Sequence, residues 1–66
     1  MATIYDTTGE TIAYVRGVDM GGIGIQAAYE IAEMDGAPVI LEDDDGDWMV
    51  HPSGDVEEFE WPDPVA

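Results

Sequence analysis

Apolar positions along this chain recur with two periods, and the switches between them divide it into elements. In "ATIYDTTGETIAYV" apolar and β-branched residues alternate through residues 3–6 and again through residues 11–15, with Gly9 in the polar stretch between them, which is the pattern of a β-hairpin. Pairing Asp6 with Thr11 puts Ile4, Ala13 and Val15 on one face and Tyr5, Ile12 and Tyr14 on the other. Both faces are partly apolar, so the pattern does not decide which one is core. After the glycine-rich stretch "RGVDMGGIG" the period changes. Over residues 23–35, "IGIQAAYEIAEMD", Ile23, Ala27, Ala28, Ile31 and Met34 recur at helical spacing, with Glu30 and Glu33 on the more polar side. Gly36 suits the position just past a helix end, and Pro38 blocks any continuation.

A second alternation, "VILEDDDGDWMVH" over residues 39–51, predicts another hairpin. With Asp45-Gly46 as a two-residue turn, Asp44 pairs with Asp47, and Val39, Leu41, Trp48 and Val50 share a face that must be core. Ile40, Glu42, Asp44, Asp47, Met49 and His51 then share the other face, with Asp43 beside Trp48 at the rim. "PSGD" turns the chain again, and "VEEFEW" adds a fifth strand with Glu57, Phe59 and Trp61 on one side and Glu58 and Glu60 opposite. Pro62 and Pro64 keep "PDPVA" out of any sheet. The expected order is ββαββ(β). This is an α+β domain over residues 1–61, one helix on a small antiparallel sheet of four to five strands, followed by a short tail at residues 62–66. Val39, Leu41, Trp48, Val50 and Ile31 are expected in one core.

Charge changes the picture most. Sixteen acidic residues face a single arginine, Arg16, with no lysine, for a net charge of −15. Such a chain is repelled by nucleic acid and by anionic membrane surfaces, and attracted to basic proteins. High net charge is also a signature of disorder, but 45% of the residues are hydrophobic and fall in patterned blocks, which reads as folded. Arg16 is expected to pair with a nearby carboxylate. There is no cysteine and one histidine, His51, which excludes a disulfide or zinc staple. No run of 18 apolar residues and no leader-like opening is present, so the expectation is a cytoplasmic monomer.

The acidic block of residues 42–47 invites a calcium reading, but with Gly46 at the sixth position of an EF-hand loop, Leu41 and Pro52 occupy the first and twelfth, where oxygen ligands are required. No specific metal and no cofactor is expected. One serine, one histidine and no cysteine or lysine make a nucleophile–base–orienter set hard to assemble, so the chain does not read as an enzyme. The glycines of "MGGIGIQ" lack the lysine of a phosphate-binding loop. Phe59 and Trp61 read equally as a cover for the sheet or as interface anchors.

Residues 1–29 contain three of the acids, and residues 30–66 the other thirteen. Alternate side chains on a strand stand roughly 6.6–6.8 Å apart, and each DNA strand carries a phosphate every ~3.4 Å, so a folded domain can approach the charge density of a nucleic-acid backbone. With "EDDDGD" and "DVEEFEWPD" as acidic blocks, the chain resembles small phage-encoded anti-CRISPR proteins that act on type I surveillance complexes. That resemblance, of size and composition, implies blockade of a basic Cas subunit and exclusion of its DNA. The residues expected to meet the partner are Glu42, Asp43, Asp44, Asp45, Asp47, Glu57, Glu58 and Glu60. Two other classes fit the charge: a small soluble protein of a halophilic organism, and an acidic interaction module such as an antitoxin.

Overall fold

The structure is a computed structural model that describes residues 2–15, 23–44 and 46–61. Arg16, Asp19, the glycines at 21 and 22, Asp45 and the 62–66 tail lie outside them, together with the expected ion pair of Arg16. Strands β1 (Ala2–Tyr5) and β2 (Thr11–Val15) form the first hairpin, followed by helix α1 (Ile23–Asp35). Strands β3 (Val39–Asp43), β4 (Gly46–Val50) and β5 (Val56–Glu58) complete a five-stranded antiparallel sheet of order β2-β1-β3-β4-β5. The α+β class and the order ββαβββ are those expected. β2 and β3 both run antiparallel to β1, hence parallel to each other, and such a pair needs a crossover connection, which α1 provides.

The first hairpin closes around Asp6. Its Oδ1 accepts hydrogen bonds from the Thr8 hydroxyl, from Thr8 N–H at 2.9 Å and from Glu10 N–H at 3.0 Å. Gly9, at φ 92°, donates its N–H to the Asp6 carbonyl. Tyr5 pairs with Thr11 and Ile4 with Ala13, so one extra residue on β2 makes a bulge where Asp6 was expected to pair with Thr11. Asp6 is spent on the turn instead. Ile4 is fully buried and Ala13 and Val15 pack against the core, which answers the question of faces.

The helix has the expected bounds but a different buried stripe. Gly24, Ala28 and Ala32, four residues apart, are buried, while Met34 is 85% exposed and Ile31 is only partly buried. Large side chains on the sheet (Ile4, Val39, Leu41 and Val50) already fill this layer, so the helix turns its smallest residues toward them and lies close. The last turn carries no basic residue, and Glu33 and Asp35 meet the negative end of the helix dipole. Packing, not terminal charge, holds the helix. Gly36, at φ 68°, ends it, and the Gly36 and Ala37 N–H groups both donate to the Ala32 carbonyl.

In the second hairpin Asp43 pairs with Gly46 and Leu41 with Trp48, two residues out of the expected register, with Asp44 in the turn. The Asp43 carboxylate accepts from Gly46 N–H at 3.1 Å, and Gly46 takes φ 141°, which glycine alone adopts without strain. A shift of two conserves side-chain parity, so Val39, Leu41, Trp48 and Val50 still share the helix face. Trp48 is only half-buried there.

The opposite, far face is also covered. Ile40 is fully buried although it points away from the helix, between Tyr5 on β1 and Met49 on β4. On the same face the chain beyond β5 folds back onto Tyr5, the cross-strand partner of Ile40. Phe59 N–H donates to the Asp47 carbonyl, extending the ladder, and the Trp61 ring then meets Phe59 edge-on at 4.8 Å and Tyr5 edge-on at 5.5 Å. Trp61 also approaches Gly9, so this segment folds back diagonally across the far face. Both rings pack against the sheet in this way and stay half-buried.

Two measurements check these features. Ile40→Ala is expected to cost about 2–5 kcal/mol in urea unfolding, as a core truncation does, whereas a far face that was merely wet would lose well under that. Hydrogen bonds, first those from Thr8, hold the Asp6 carboxyl below the ordinary carboxylate range. Its contribution is therefore present above the unfolded-state pKa and lost as pH falls through the lower folded value. Wild type should melt above Asp6→Asn at neutral pH, and the gap should close in strong acid. A gap that persists there would locate the effect elsewhere.

Candidate functional site

Three strands deliver the acidic block to one end of the sheet, because β3 ends, β4 begins and β5 ends there. Glu42 is exposed on the far face, between Thr3 of β1 and Asp47 of β4. Asp47 joins it on that face, as does Glu57, opposite Met49. Asp43 lies on the helix face, where it accepts from the Trp48 indole N–H at 3.4 Å as well as from Gly46. Glu58, opposite Trp48, is exposed on the same side. Asp44 is exposed in the turn and Glu60 is exposed just past β5, while Asp45 is outside the described residues. The carboxylates thus form a rim that wraps the strand ends on both faces, not a single plane. Parity alone could have shown this split, since neighbours such as Glu57 and Glu58 must diverge.

Glu42 and Asp47 are direct cross-strand partners, and like charges so placed repel. No Lys or Arg among the described residues offsets them. The Tyr5 hydroxyl donates to Glu42 Oε1 at 3.4 Å, and burial, reinforced by that carboxylate, raises the Tyr5 phenol above its ordinary pKa. His51 Nε2 lies 3.2 Å from Glu57 Oε1, at the opposite end of β4 from the turn. Among the described residues, no three acidic or histidine side chains converge to hold a metal ion.

One feature escaped the reading of the sequence. Gly46, Asp47, Trp48, Glu58, Phe59 and Glu60 line an open groove of about 460 Å³ on this rim. It arises from the β4–β5 register, a non-local pairing, and the only signal in the sequence was the interleaving of aromatic and acidic residues in "VEEFEW".

If the Glu42–Asp47 pair is repulsive, Asp47→Lys should stabilise the domain by roughly 0.2–1 kcal/mol in urea unfolding at low salt, with the gain shrinking as salt is added. A variant no more stable than wild type would mean that the two carboxylates splay far enough into water to ignore each other. Compared with protein-family models, with curated proteins and with solved structures, the chain has no match, so its own residues carry the functional reading.

Proposed function

We propose that this protein is a non-catalytic acidic inhibitor that mimics nucleic acid and occupies the basic groove of a DNA- or RNA-binding partner, with a type I Cas surveillance complex as the first candidate. The observation that carries the reading is Glu42 standing directly opposite Asp47, with Asp44, Glu58 and Glu60 exposed at the same end of the sheet and no Lys or Arg among the described residues. A sequence shaped by folding alone gains by placing lysine or threonine at one of these positions. A like-charge pair directly across two strands breaks a local rule of sheet pairing, and such rules are broken at functional sites. Carboxylates on both faces of the strand ends suit insertion between two basic walls, as the phosphates of a duplex lie on either side of its axis. Long-range attraction then steers encounter, giving fast association that weakens with ionic strength.

A second reading, solvation in a salt-loving organism, is favoured by the acids away from the rim. Glu10, Glu30, Glu33, Asp35 and Asp55 are all exposed, on the first hairpin, the helix and the β4–β5 connection.

Competition separates the two. With the Cas complex immobilised, wild-type protein is expected to displace its DNA, and Asp44→Lys with Asp47→Lys should weaken binding roughly tenfold or more while Glu10→Lys changes it little. Binding that leaves DNA occupancy unchanged rejects mimicry. Equal sensitivity at Glu10, or a domain that folds only in molar salt, transfers the conclusion to solvation.

A further inference from the structure

The groove on the rim combines charge with an aromatic surface. Trp48 faces the helix side, but α1 packs over β3 and β4 without enclosing the indole, which stays half-buried. The ring extends over Gly46, where a Cβ would meet Trp48 Cζ2 at 3.9 Å, so the absence of a side chain at Gly46 keeps that end open. Asp43 occupies the indole N–H at 3.4 Å and thereby fixes the plane of the ring. Glu58 stands opposite Trp48 in register, Glu60 lines the same groove just past the end of β5, and both are exposed. Phe59 is half-buried beside them.

We propose that this groove receives an arginine side chain of the basic partner. The inference rests on the reading of the protein as an acidic inhibitor and names the anchor through which it holds its target. Charge complementarity selects a cation. The aromatic surface then selects among cations, because a guanidinium is planar, weakly hydrated and able to stack on an indole while its N–H fork reaches carboxylates. An ammonium answers the charge of Glu58 and Glu60 equally well, but it is a strongly hydrated point charge with no plane to lay on Trp48. An aliphatic side chain would cover the two carboxylates without pairing them.

The test compares two peptides of equal charge, hexa-arginine and hexa-lysine, titrated at low salt into isotope-labelled full-length protein. Hexa-arginine is expected to bind about two- to fivefold tighter and to shift the Trp48 indole N–H resonance but not that of Trp61. Trp48→Leu, checked for folding by its amide spectrum, should equalise the two affinities. The double variant Glu58→Gln, Glu60→Gln changes only exposed positions and should reduce the preference without disturbing the fold. Equal affinity of the two peptides for wild type, or a preference that survives Trp48→Leu, overturns the arginine groove and leaves the acidic-inhibitor reading intact. If neither peptide binds, the inhibitor reading falls with it.

Discussion

Burial of β3 on both faces is the constraint on which the rest of the structure depends. Val39, Ile40 and Leu41 are consecutive, so their side chains point alternately to the two faces, and all three are within 1% of complete burial. A strand with one wet face would alternate between buried and exposed. A chain of 66 residues must therefore supply two covering layers, although a domain of this size buries only about 60% of its unfolded surface. Helix α1 is one layer, seated closely through Gly24, Ala28 and Ala32. The Phe59–Trp61 segment, folded back onto Tyr5, is the other.

That arrangement decides where charge can go. With the middle of the sheet covered on both sides, carboxylates are left the strand ends, the β5 edge, the loops and the outer side of the helix. The β3–β4 turn and the end of β5 fall at the same end of the sheet, so the densest acidic stretch of the sequence becomes a rim held by backbone pairing. Trp48 and Phe59 lie where the two covering layers run out, which brings aromatic surface into contact with the rim. The same scarcity of covering chain that half-exposes Trp48 thus creates the groove beside Glu58 and Glu60. Asp43 links the two roles, since one carboxylate both closes the turn at Gly46 and orients the indole.

Element type and order were legible in the sequence because they depend on local period: two for the strands and 3.6 for the helix, with Gly36 and Pro38 marking its end. The face assignment of the second hairpin survived a two-residue error in register because parity repeats every two residues. The turn itself was misplaced because the bond from Gly46 N–H to the Asp43 carboxylate competes with the usual preference for Asp-Gly at the centre of a turn. Most of the acidic residues at the strand ends were likewise legible, being adjacent in sequence.

What the sequence by itself determined is the sign and density of charge, the α+β class and the alternation of each strand, all properties of neighbours along the chain. What only the tertiary structure decided is which side of each element is used. The helix rotated its small residues inward and left Met34 in solvent, because the large residues facing it come from three different strands. Ile40 is buried on the far face, where its cross-strand partner Tyr5 meets the returning Trp61 ring, 56 positions along the chain from Tyr5. The groove formed because β5 pairs with β4 so that Glu58 stands opposite Trp48. Each of these outcomes depends on contacts between residues distant in sequence, and local period carries no information about those.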